Sequence, residues 1–384
     1  MARFHVKHLL VLGLLAAFPA LAGWPLYGPE AIPLPAVAEP TERLQPASPT
    51  WSTPIGTDAR DLAAVADSAA AHLQRHDVAG DAAPHGLLDA VGIRPKDLRD
   101  TLHFITRIAR EDAGRPAQRL EDPDFIATHF DAYRFRGDTE MAADNGVALE
   151  PGQVRITKYL VYQHEGRTEP DGEHATGLWA IPNDEAQLTL DEADAIGTLH
   201  RHQFTRKQVL DGVFDVGGEL EGAATALAWM RRQDVHEALM QGTVELTFPT
   251  GATRTYNVHR SNGIAYRHAV RDPEQQDRFW YFREVDGVRG WGEEAEDKVL
   301  LQAGAAVAGD VRNLGLGALF AIQGTRSLRL TILADTGGAF EPNLYQLDFF
   351  AGAYPSRAAF DAAVADIPAR TSVWLLVVKP EFTD

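Results

Sequence analysis

The chain changes its hydrophobic period partway along, and that change predicts its organisation. Leu62, Val65, Ala69 and Leu73 fall on one helical face, with Asp58 and Asp61 near the start, where a helix favours negative charge. A second helix is predicted after Pro95, with Leu98, Leu102, Ile105 and Ala109 on one stripe, and a shorter third one over 123–130. From Val154 the period shortens to two. Strands are predicted over 154–162, 178–181, 242–248, 253–258 and 279–285, with Pro249-Thr250-Gly251 turning a hairpin. Between them Thr205 is positioned to cap a short helix over 204–210. The alternating run 328–334 is a further strand; a late helix presents Phe360, Val364 and Ile367, and 373–378 closes the chain as a strand. There is no internal repeat.

The first 56 residues lack such periodicity. Arg3 and Lys7 precede the apolar run 9–18, and Ala20-Leu21-Ala22 supplies small residues before Gly23. This is the order of a secretory signal peptide, with cleavage expected near Ala22 and a periplasmic or secreted product. The apolar run falls short of the roughly 20 residues a membrane span needs. Residues 23–56 carry repeated prolines and read as an extended tether without a core of its own.

The chain has 384 residues, a formal net charge of −18 from 54 acidic and 36 basic residues, and no cysteine. The charge argues against nucleic acid and anionic membrane as partners. Without cysteine there are no disulfides, thiol nucleophiles or lipid-anchoring thiol, so a soluble protein without a membrane anchor is expected. The fourteen histidines show no metal-binding spacing, and neither a metal nor a cofactor is expected. Oligomeric state is not legible.

Three acids stand where strand-like runs meet glycine-rich turns: Asp310 after Ala308-Gly309, Asp335 before Thr336-Gly337-Gly338, and Asp348 in Leu347-Asp348-Phe349-Phe350. The Asp335-Thr336-Gly337 triplet invites comparison with aspartic proteases. Those enzymes need two such aspartates sharing a proton, and no second triplet occurs; Asp215-Val216-Gly217 has valine at the hydroxyl position.

The order and frames of the three acids resemble the three-aspartate domain of the MltA (membrane-bound lytic transglycosylase A) family, which cuts peptidoglycan glycan strands. The resemblance spans about residues 121–379. It includes 122–135, Leu227-Ala228-Trp229, Gln241-Gly242, Asn262-Gly263 with Tyr266, and Trp280-Tyr281-Phe282-Arg283-Glu284. It implies a mainly β fold with N-terminal helices over 57–120. The core would be a double-psi β-barrel, built from 121–200 and 285–384, split by an inserted smaller β domain at 201–284.

The resemblance also implies that Asp348 is the catalytic acid, with Asp335 supporting it, and that Asp310 is a structural acid fixing a turn. Gln241, Thr243, Asn262, Tyr266 and Tyr159 occupy positions matched to substrate contact. Here the family's Q-G-S-G reads Gln241-Gly242-Thr243-Val244 and its G-Y-Y-x-P reads Lys158-Tyr159-Leu160-Val161-Tyr162. Trp179, Tyr256, Tyr266 and Trp280 are aromatic candidates for stacking on sugars or for the core. The implied function is an exported lytic transglycosylase that cleaves the MurNAc–GlcNAc β-1,4 bond. The alternative is a glycan-binding barrel that has lost activity.

Overall fold

The computed structural model describes residues 40–76, 86–267, 269–270, 272–292, 297–337, 340 and 342–383. The expected signal peptide, its cleavage site and residues 23–39 of the expected tether lie outside the described residues, as does Gly338.

Fourteen strands are described: β1 (Leu44–Ala47), β2 (Phe130–Phe135), β3 (Val154–Glu165), β4 (Thr176–Trp179), β5 (Ala226–Met230), β6 (Thr243–Thr247), β7 (Thr253–Ser261), β8 (Trp280–Val285), β9 (Ala306–Ala308), β10 (Leu319–Gln323), β11 (Leu328–Asp335), β12 (Gln346–Tyr354), β13 (Arg370–Thr371) and β14 (Val373–Val378). The protein is mainly β, with one large mixed sheet ordered β1-β2-β14-β10-β11-β9-β12-β3-β6-β7-β8; β13 adds to β3, and β4 pairs with β5 separately. Three pairings are parallel: β9 with β11, β12 with β3, and β3 with β6.

Two apolar cores form. The larger takes β1–β3, β9–β12, β14 and the helices Ala59–His76 and Pro95–Glu111, whose Leu62, Val65, Leu98, Leu102 and Ile105 are buried as the helical spacing predicts. The smaller gathers Leu178, Trp179, Met230, Val244, Tyr256, Phe279 and Tyr281. Leu178 and Trp179 were expected in the first barrel half, but β4 pairs with β5 and both residues pack into the smaller core. The packing therefore changes before residue 200.

The tether expectation fails over 40–56. Leu44 and Trp51 are buried, and β1 pairs with β2 in register Leu44↔Phe135 and Pro46↔Tyr133. Proline is tolerated because β1 ends the sheet, where its missing N–H costs no ladder bond. Ring packing of Trp51 against Trp374, with centroids 6.0 Å apart, anchors the segment further.

Most predicted elements form. Thr205 caps Arg206–Leu210 and makes a capping box with Gln208. Phe130 begins β2 instead of ending the preceding helix, and the late helix stops at Ala363, leaving Val364 and Ile367 buried beyond it. The longest described helix that the sequence pattern does not predict is Arg232–Gln241, which buries Val235, His236, Ala238 and Leu239. Gly242 ends it with a left-handed φ of 77°, so the expected strand starts one residue later. No described helix is long and apolar enough to cross a membrane.

Candidate active site

Asp335 and Asp348 come together through the thin strand β9. Ala308 is the register partner of Asp335 on one side and of Asp348 on the other. Neighbouring strands lie about 4.8 Å apart, so the two acids flank Ala308 with Cα atoms roughly 10 Å apart. A register shift between Leu333 and Asp335 re-aims Asp335 as its strand ends. Gly290 lies against this bend: a Cβ there would sit 2.5 Å from the Ala334 carbonyl oxygen and 3.0 Å from Asp335 Cβ.

Asp348 is 5% exposed, in the middle of a β12 stretch that is buried throughout. Burial pushes its carboxyl up to about 7; the Thr157 hydroxyl opposes this, Asp335 adds to it, and Arg155 and Lys158 pull weakly down. Its Oδ1 is buried and lacks a hydrogen-bond partner among the described residues. A protonated carboxyl is the form such a position favours, because an ionised oxygen without a donor carries the full desolvation cost. Asp335 is also pushed up by burial, to about 6, while the Thr336 N–H, the Tyr159 hydroxyl and Lys298 favour its charged form. Tyr159 donates to Asp335 Oδ2 at 3.0 Å, and Thr336 N–H donates to Oδ1 at 2.9 Å. The Tyr159 ring packs on Phe350, with centroids 5.1 Å apart.

Asp310 is buried, and both its carboxylate oxygens accept bonds. Oδ1 takes the Asn313 N–H at 3.1 Å; Oδ2 takes the Asn313 side-chain amide at 2.7 Å and the Asn343 N–H at 3.0 Å. The preceding Gly309 carbonyl accepts from the Thr336 hydroxyl at 2.8 Å, tying this turn to the Asp335 turn.

The remaining residues matched to substrate contact are not gathered at one place. Tyr159 touches Asp335 directly. Thr243 is buried and accepts from the Asn257 amide at 2.7 Å; Lys298 donates to Asn257 Oδ1 at 2.8 Å and acts electrostatically on Asp335. Gln241 is half-buried at the end of its helix. The Asn262 amide donates to the carbonyls of Phe204 and Asp277, both at 2.9 Å, and its oxygen accepts from Phe279 N–H at 3.0 Å. That side chain is committed to its own loop. Tyr266 and Trp280 line a separate cleft of about 130 Å³ with Arg206 and His236, and neither Asp335 nor Asp348 lines it. Trp179 and Tyr256 are core residues, 3% and 0% exposed.

Sequence reading missed Lys298, Asn257, Thr157 and Gly290. None sits in a distinctive motif; each matters through contacts across 40 or more residues of chain or across strand pairs.

No family model and no curated protein matches the chain. Solved structures do. A membrane-bound lytic murein transglycosylase from Agrobacterium tumefaciens is similar at 19% identity and a TM-score of 0.54, over 84% of this chain and 93% of that one. E. coli MltA with bound chitohexaose is similar at 17% identity and 0.54, over 88% and 95%. MltA from Neisseria gonorrhoeae is similar at 16% identity and 0.56, over 88% and 91%. Across most of its length, this chain has the fold of the MltA lytic murein transglycosylases.

Proposed function

We propose that this protein is an exported peptidoglycan lytic transglycosylase in which Asp348 serves as the single general acid and base. One observation carries the reading: a buried carboxyl, raised to about 7, with a free oxygen and a second acid across one strand. Such a group holds a proton near neutrality and can both give and recover it. The bound chitohexaose of the similar E. coli structure supports a glycan as ligand, here a peptidoglycan strand. The split double-psi barrel belongs to the same reading, supported by the parallel pairs β9–β11 and β12–β3.

The reaction follows from one carboxyl acting twice. Protonated Asp348 donates to the glycosidic oxygen as the C1–O bond of MurNAc breaks, releasing the GlcNAc 4-hydroxyl. The carboxylate then takes the proton of the MurNAc 6-hydroxyl as its oxygen bonds to C1, leaving a 1,6-anhydro end and Asp348 protonated again. No water is consumed, so the paired acid and base of ordinary glycosidases are not required. Asp335, held by Tyr159 and Thr336, positions the site and raises the Asp348 carboxyl.

The test is product analysis. Purified protein incubated with peptidoglycan sacculi should release 1,6-anhydro muropeptides, lighter by one water than hydrolysis products in mass spectrometry. Asp348→Asn should abolish release while keeping the fold and glycan binding. Reducing-end products would contradict the mechanism, and binding without any product from the wild type would favour the inactive glycan-binding barrel.

A further inference from the structure

Five residues beyond Tyr159, β3 carries a second polar cluster. His164 faces Asp234 and Glu237 of the helix Arg232–Gln241, and one ligand atom from each lies within 4.8 Å of the others. The two acids are three apart on the helix and so share a face. His164 Nε2 is 3.0 Å from Glu237 Oε2, and Nδ1 is 3.7 Å from Asp234 Oδ1. The Nε2 atom is enclosed yet makes no aligned hydrogen bond, even at 3.0 Å from a carboxylate oxygen. Two atoms that share a metal aim at a common third point and not at each other. Gln233 donates to the other oxygen of Glu237 at 3.2 Å, which orients Oε2 towards His164.

The charge balance points the same way. Two carboxylates face one imidazole in a largely buried setting, with side-chain exposures of 14% for His164, 14% for Asp234 and 26% for Glu237. The neighbouring basic side chains are engaged elsewhere: Arg231 donates to Glu173 at 3.0 Å, and His174 Nδ1 lies 3.0 Å from Asp171. A similar group, His72, His76 and Asp297, differs on this point, because Arg75 already donates to Asp297 at 2.7 Å.

We propose that His164, Asp234 and Glu237 form a binding site for a divalent transition-metal ion of the zinc type, stapling β3 to the helix that leads into Thr243. Imidazole with carboxylates suits zinc, whose bonds of about 2.0–2.2 Å set ligand atoms roughly 3.3–3.6 Å apart. Side-chain shifts on the order of 1 Å close the site, with water as the remaining ligand. The bound ion fixes the helix against the strand that carries Thr157 and Tyr159. The site is independent of the proposed catalytic chemistry.

The experiment uses the full chain, stripped with chelator and titrated with zinc sulfate by calorimetry, with thermal unfolding followed in parallel. Wild type should take up a single equivalent and gain thermal stability, reversed by chelator. His164→Gln and Glu237→Gln should each weaken binding at least about tenfold, while His76→Ala, in the other cluster, leaves it intact. Cobalt uptake should give a visible spectrum that His164→Gln changes, and this readout on the wild type stands even if a variant folds poorly. Failure of the wild type to bind zinc overturns the site. So does binding that survives His164→Gln but is lost in His76→Ala, or equal uptake of magnesium insensitive to His164→Gln.

Discussion

At the scale of single residues, the site depends on how burial acts on acids. A carboxyl raised above its ordinary 3.8 binds more protons in the folded than in the unfolded chain between the two values. Its contribution to stability is therefore full below about pH 4 and is lost as pH rises through about 7 for Asp348. Asp348→Asn removes that loss. The variant should be more stable than wild type above pH 7, by up to about 4 kcal/mol, and equally stable near pH 4, as read by urea unfolding at both values. A variant no more stable at high pH would mean the carboxyl is not raised. Tyr159→Phe tests the support of Asp335: it deletes one charge-assisted hydrogen bond and keeps the ring on Phe350. We expect kcat to fall roughly tenfold with KM nearly unchanged; a change in KM alone would assign Tyr159 to substrate contact instead.

At the scale of elements, the pieces outside the expected barrel carry more of the fold than their composition suggests. The segment 44–55 supplies an edge strand and buries Leu44, Trp51 and Ile55. Its prolines imitate a tether because proline signals only the absence of a ladder donor, and an edge strand can lack one. Trp51→Ala should cost about 3 kcal/mol, measured as a lower urea midpoint with unchanged m-value. An indistinguishable midpoint would restore the tether reading. The helix Arg232–Gln241 was missed for a related reason. Its charged residues dilute the apolar stripe, and only contact with β3, β4 and β6 shows which face is inward.

At the scale of the whole molecule, a short chain of polar side chains joins β6 and β7 to the Asp335 site. Lys298 bonds Asn257, which bonds Thr243, and the same ammonium holds down the Asp335 carboxyl. Lys298→Met should raise the Asp335 pKa above its value of about 6, followed by carboxyl carbon titration in NMR. An unmoved titration would show that the Lys298 ammonium does not reach the acid electrostatically.

What sequence alone determined here was local. Period-two and period-3.6 runs specified the two long helices and seven of the fourteen described strands, because amphipathic spacing follows from backbone geometry. The frames of Asp310 and Asp335 marked two turns, since glycine and aspartate act on their immediate neighbours; Asp348, expected at a third, lies inside β12 instead. Tertiary structure alone decided the rest. Asp335 and Asp348 meet only because β9 slots between β11 and β12, a pairing between strands that are not consecutive in the chain. Asn262 and Thr243 sit in site-like motifs, yet their polar atoms are taken up by Phe204, Asp277 and Asn257. Whether a polar side chain is free for a ligand depends on partners brought from elsewhere in the chain, and only folding supplies them.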